Sequence, residues 1–247
     1  MLLLLVALSV FMGAASQRIT GMGFALIASP ALVIVLGAFD GVIVVNLCAV
    51  VSSLLILPRV WRHIEWSRFT WLVVPALVGT AVGAIVAARL PGPVLQFGIG
   101  VLVIVALTVI LVVTRTSHRA TGRSPAVIAG AASGFMNATA GVGGPALSVY
   151  AVATRWSQVG FAATAQPYFV VIGIASLVGK FAATGWALPA LDATAWLWVI
   201  VALLAGLAAG EFLYPKVGHR AARAAVIVIA YLGGAAAVID GALELAG

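Results

Sequence analysis

Residues 124–154, SPAVIAGAASGFMNATAGVGGPALSVYAVAT, form a run of 31 residues without a charge, bounded by Arg123 and Arg155. As one straight helix the run would be about 46 Å long at roughly 1.5 Å per residue, whereas a bilayer's hydrocarbon core takes about 20 residues to cross. It is too long for one crossing and too short for two. A re-entrant hairpin fits: one helix enters to mid-depth, breaks at NATAGVGG, and a second helix returns to the same side.

The chain around this run has the same character. Hydrophobic residues make up 64% of the 247 positions and charged residues 8%, against roughly 45–50% and 25% in a soluble domain, so the sequence reads as an all-α integral membrane protein embedded in the lipid bilayer. Six runs can span: 42–58, 72–88, 94–114, 160–179, 193–210 and 224–239. The first 39 residues, interrupted by SQRITGMG at 16–23, read as a second hairpin. Their apolar start has no Lys or Arg ahead of it and is taken as retained structure rather than a signal peptide. The lone Cys48 lies in an apolar run, which excludes a disulfide framework or a thiol metal cluster; no metal or cofactor is expected.

The lysines and arginines test the hairpins, because cytoplasmic loops collect positive charge. With two hairpins, one side receives Arg59, Arg62, Arg68, Arg115, Arg119, Arg123, Arg155, Lys216, Arg220 and Arg223, and the other Arg89 and Lys180, a split of 10 to 2 with Arg18 unassigned. Treating 124–154 as a single span gives about 7 to 5. The hairpin topology places both termini outside a bacterial inner membrane. The net charge of +7 is then a cytoplasmic-face signature, and no nucleic acid is expected as a partner.

A shift of 120 residues aligns Gly21 and Gly23 with Gly141 and Gly143, Gln17 with Asn137, Asn46 with Gln166, and Trp66 with Trp186. Further along, a shift of 127 aligns Gly79 and Gly83 with Gly206 and Gly210, and Arg89 with Lys216. The expected architecture is two repeats, 1–119 and 120–247, within one membrane domain. Each contains a broken helical hairpin plus three transmembrane helices. An odd number of crossings inserts the second repeat upside down, the plan of many secondary transporters whose sites lie where discontinuous helices meet.

The paired motifs TGMGFALIASP and GFMNATAGVGGPALSVY, with GTAVG and GLAAG, resemble those of the TauE/SafE family of sulfite exporters over nearly the whole chain. GVGGP is the most family-like element, while Phe24 and Ala25 follow Gly23 where the family often has further glycines. The resemblance implies export or exchange of small sulfur-containing anions such as sulfite, sulfoacetate or related sulfonates. An anion channel, or a proton-coupled carrier of another small carboxylate or sulfonate, is the alternative.

The residues point to an anion site independently. Non-helical backbone at membrane depth is tolerated only where protein or a water-filled cavity satisfies it, and glycine permits close approach to a ligand. Gly21, Gly23, Gly141, Gly143 and Gly144 suit that role, ahead of helix N-termini that attract anions. Arg18 offers a planar donor fork, or else is a cytoplasmic loop residue that makes the split 11 to 2. Gln17, Thr20, Asn137 and Thr139 are candidate donors. Asn46 and Gln166 either line the path or join two helices. Gly79, Gly83, Gly206 and Gly210 read as helix-packing positions. Glu211 reads as an interfacial residue, Lys180 as one that snorkels to the outer surface, and Trp61, Trp66, Trp71, Trp186, Trp196 and Trp198 as interfacial belts.

No enzyme is expected and no catalytic residue is assigned. His63, His118 and His219 fall in loops, no H-E-x-x-H motif occurs, and Ser133 has no histidine at depth. The expected partners are the small anionic substrate, lipid and a second copy of the chain in a homodimer.

Overall fold

The computed structural model describes residues 2–20, 23–113, 120–183, 185–186, 189, 191–214 and 219–246, following 2, 20, 23 and 219–223 in the backbone alone. Among these residues the regular structure is helical. The elements are α1 (Leu2–Thr20), α2 (Gly23–Leu36), α3 (Ala38–Val60), α4 (Trp66–Arg89), α5 (Gly92–Val113), α6 (Ser124–Ala140), α7 (Gly144–Ala153), α8 (Gln158–Ala183), α9 (Ala193–Leu213) and α10 (His219–Ala246), with one 3-10 turn at Trp61–His63. Six helices, α3, α4, α5, α8, α9 and α10, are long and apolar enough to cross a membrane. The chain is therefore an all-α, multi-pass membrane protein.

The remaining four helices form the two expected hairpins. Pro125 stands in the first turn of α6, where its missing N–H costs no hydrogen bond. Gly141 ends the helix in the left-handed conformation at φ +70°, and its N–H donates to Asn137 O at 2.9 Å. The Ala120 N–H donates to Ala153 O at 2.8 Å, which brings the start of α6 and the finish of α7 together. The Arg123 guanidinium lies 4.3 Å from the centre of the Trp71 ring, and Trp156 donates to Glu65 at 2.7 Å. Both ends of the 124–154 hairpin thus sit beside the start of α4. Arg59, Arg62, Arg68, Arg123 and Arg155 belong to this end of the bundle, while Arg89 closes α4 at the far end. His118, Arg115, Arg119 and Lys216 lie outside the described residues.

Helix packing follows the small residues, because in lipid helices associate where side chains let backbones approach. α4 packs on α6, and α9 on α1. A Cβ at Gly134 would lie 1.9 Å from Ala76 O, one at Gly79 2.0 Å from Ala131 O, and one at Gly83 2.7 Å from Phe135 O. On the other seam, Gly206 and Gly210 would meet Phe11 O at 2.4 Å and Ala15 O at 2.7 Å. Ala131 and Phe135 stand 120 residues after Phe11 and Ala15, and Gly206 and Gly210 stand 127 after Gly79 and Gly83. The contacts therefore repeat in the same two registers as the sequence.

Between these seams α3 packs on α8, and on the outside α5 packs on α10. Gln96 Nε2 donates to Asp240 at 2.6 Å, and Thr108 and Tyr231 share a 2.7 Å hydrogen bond, fixing that outer pair. α9 is capped by Asp192, which accepts from the Ala195 N–H at 2.7 Å, a contact that contributes about 1 kcal/mol.

Lys180 corrects an expectation. Instead of snorkelling outward it is fully buried, with its Nζ 4.2 Å from the centre of the Phe39 ring. α3 starts at Ala38, directly after α2, and this tight junction lays Phe39 over the ammonium, where the ring face attracts it. Trp61, Trp66, Trp71, Trp186 and Trp198 are exposed, whereas Trp196 is partly buried against the core between α1, α2, α3 and α9.

Candidate functional site

Two cavities meet at Gln17. A vestibule of about 180 Å³ is lined by Arg18, Ile56, His63, Gln158, Gln166 and Tyr214, among others. A smaller cavity of about 20 Å³ is bounded by Phe24, Ser53, Asn137, Gly141, Gly143 and Gly144, with Phe169 and Ala25. Gln17 lines both. The smaller space holds about one water molecule, so an anion would require these walls to part.

Gln17 is held from α3. Its Oε1 accepts from Ser52 Oγ at 2.8 Å, and its Nε2 donates to Ser53 Oγ at 3.4 Å. Both serines are fully buried between the apolar neighbours Val50, Val51, Leu54 and Leu55, which makes the Ser52–Ser53 doublet a polar patch placed to receive this amide. The doublet was visible in the sequence but was not singled out.

The opposite wall is the break between α6 and α7. Asn137, in the last turn of α6, donates from Nδ2 to Asn46 Oδ1 at 2.8 Å, and Asn46 Nδ2 donates to Val42 O at 3.1 Å. Asn46 thus joins α3 to α6 rather than standing free. Ser133 Oγ donates to Gly143 O at 2.7 Å and ties the return arm to the entering one. Ser29 of α2 donates to the Ala140 carbonyl, linking the two hairpins and satisfying an acceptor that the end of α6 frees. A Cβ at Gly143 would fall 2.9 Å from Ser133 O, so glycine is needed there for this closeness. Gly143 and Gly144, the cap and first residue of α7, face the small cavity with no side-chain cap on the helix. That leaves the positive end of α7 directed at it.

Arg18 is placed on the vestibule, but it is not a bare charge. Its Nε and Nη2 both donate to the Glu211 carboxylate, the Nη2 to Oε1 distance being 2.9 Å, and Arg59 reaches the same carboxylate at 3.2 Å. The guanidinium also stands 4.9 Å from the centre of the Tyr214 ring. Glu211 is half-exposed and lies near the end of α9, as expected of an interfacial residue, with two arginines as counter-ions. Three charges at this rim leave one net positive charge.

Of the other candidate residues, Thr139 turns to its own helix, donating to Phe135 O at 2.8 Å, and lines neither cavity. Gln166 lines the vestibule and is 1% exposed. Gly21 lies outside the described residues, and Thr20 and Gly23 enter only as the last residue of α1 and the first of α2.

The sequence profile of the family described as Sulfite exporter TauE/SafE matches residues 5–237. Neither a curated protein nor a solved structure matches the chain. The match spans both hairpins and all but the last turns of α10, including every described residue of the two cavities. The chain therefore belongs to the TauE/SafE family of sulfite exporters, a family of membrane transporters.

Proposed function

We propose that this protein exports small sulfur-containing anions, among them sulfite, sulfoacetate or related sulfonates, across the bacterial inner membrane by alternating access. The observation that carries this reading is the arrangement of the two cavities. A vestibule at the arginine-bearing end narrows at Gln17 onto a one-water space walled by the Gly141–Gly144 break. A carrier needs a site that is closed to one side while it is reached from the other, and a narrow space next to a wider vestibule supports that reading. The site attracts anions through Arg18 and the start of α7 and excludes bulk through Phe24 and Phe169.

In this reading the halves 1–119 and 120–247 are inverted repeats that rock about the small cavity. The repeated glycine seams, α4 on α6 and α9 on α1, support it because they let each hairpin move with a helix of the other half. The test is counterflow in proteoliposomes. Labelled sulfite outside should accumulate transiently against unlabelled sulfite inside, with a rate that saturates. Flux that stays linear in concentration and shows no counterflow would make the protein a channel.

A further inference from the structure

We propose that Gln17 and Gln166 hold the transported anion as a donor–acceptor pair, and so favour small anions that carry a hydroxyl over those that carry acceptors alone. The proposal rests on the reading above and names the substrate class of that same site.

Gln166 is buried, and its orientation is fixed from its own helix, since Nε2 donates to Ala162 O at 2.9 Å. Its Oε1 is consequently turned away from that carbonyl and has no hydrogen-bond partner among the described residues. Buried acceptors without partners are rare and call for an explanation. This one belongs to a side chain on the vestibule wall, where a ligand passes on its way to Gln17. Gln17 presents the complement. Its oxygen is occupied by Ser52, and only one of the two N–H donors on its nitrogen is used, by Ser53.

The amide pair that matches it in the repeat shows what such a pair does when closed. In the register of 120, Asn46 corresponds to Gln166 and Asn137 to Gln17. Asn137 donates directly to Asn46 Oδ1 at 2.8 Å, whereas no hydrogen bond joins Gln17 to Gln166. One amide pair is shut on itself, whereas its counterpart keeps an unused donor on Gln17 and an unpartnered buried acceptor on Gln166. A plain sulfonate offers only acceptors, which suit Gln17 and leave Gln166 unmet. A hydroxyl-bearing anion satisfies both. A metal cation would also satisfy an oxygen, but Arg18 and Arg59 stand at the rim and oppose its approach.

The test measures displacement of labelled sulfite from the purified protein at one fixed pH. The competitors are ethanesulfonate and 2-hydroxyethanesulfonate, which differ by the hydroxyl. The wild type should prefer the hydroxylated anion by about tenfold, the scale of one buried hydrogen bond. Gln166→Met should reduce that preference to within about twofold, by weakening the binding of 2-hydroxyethanesulfonate. Equal affinities in the wild type would mean that Gln166 holds water only, and would overturn the proposal whether or not Gln166→Met folds. A preference that survives Gln166→Met would overturn it as well. Equal binding of both sulfonates leaves the exporter reading standing, whereas a protein that binds neither of them nor sulfite removes both.

Discussion

Arg18 grips Glu211 through two donors, and Arg59 holds the same carboxylate from α3 at 3.2 Å. The sequence separation of 193 residues between Arg18 and Glu211 makes this a tie between the first hairpin and the end of α9. It also gives Arg18 two roles that compete, since a guanidinium occupied by a carboxylate attracts an incoming anion less than a free one.

Kinetics separates the two roles. Arg18→Ala should raise the KM for the transported anion by roughly tenfold, a change of about 1.4 kcal/mol, and Arg18→Lys should recover little because an ammonium does not reproduce the planar fork. Glu211→Gln should lower KM by releasing Arg18. Arg89→Ala, at the far end of α4, should change neither value. Initial rates in proteoliposomes over a range of sulfite concentrations decide, and an unchanged KM in Arg18→Ala would reduce Arg18 to a structural tie.

The seam between α4 and α6 should tolerate no added methyl. At Gly134 and Gly79 the nearest atoms to a new Cβ are backbone oxygens at 1.9 and 2.0 Å, which cannot move without parting the helices. Gly134→Ala should therefore destabilise by about 1–3 kcal/mol or more. Gly98→Ala in α5, with nothing within 4 Å, should be neutral or stabilising by roughly 0.5–1 kcal/mol. Thermal unfolding of the purified variants measures the contrast, and equal midpoints would contradict the close approach of these helices.

The Asn46–Asn137 pair should behave as a unit. Removing one amide leaves the other buried without its partner, at about 1–3 kcal/mol, whereas Asn46→Leu combined with Asn137→Leu should cost less than the sum of the single changes. Additive losses in a double-mutant cycle would mean that the 2.8 Å bond contributes little.

The hairpin at 124–154 was legible because length and charge alone constrain it, and Gly141 and Gly143 sit at its turn as the motif implied. Gly79, Gly83, Gly206 and Gly210 were legible as packing positions because small residues recur at helical spacing. The partner of Arg18 was not, since nothing local to SQRITGMG points to a carboxylate in α9. Thr139 looked like a donor for ligand, but a helical threonine's hydroxyl can reach its own backbone four residues back, and here it does. The burial of Lys180 depends on how α2 turns into α3, which the apolar run hides. Glu65 and Asp192, at the caps of α4 and α9, are also 127 residues apart, a further match in the register that sequence reading left unused.

Depth can be tested by cysteine labelling on a background with Cys48 replaced. Ala138 and Ala140 are fully buried beside the break, whereas Arg155 lies at the arginine-bearing end. Cysteines at 138 and 140 should resist a large membrane-impermeant maleimide from either side. One at 155 should react from the cytoplasmic side. Labelling of 138 or 140 from outside would refute a hairpin that turns within the bundle.

A cell interior negative by about 100 mV pushes each unit of negative charge outward with about 2.3 kcal/mol, enough for roughly a fortyfold gradient at about 1.4 kcal/mol per tenfold. A dianion gains about twice that free energy, so export of an anion requires no coupled ion. Proton-coupled carriers commonly place titrating carboxylates or histidines within their spans. Glu211, at the vestibule rim, is instead engaged by Arg18 and Arg59. We therefore expect electrogenic efflux, with Glu211→Gln retaining most transport at saturating substrate. Proteoliposomes with an imposed potassium-diffusion potential supply the measurement: sulfite flux should follow the potential and reverse when its sign is reversed. Flux that ignores the potential, follows a pH gradient and disappears in Glu211→Gln would replace uniport with proton coupling through Glu211.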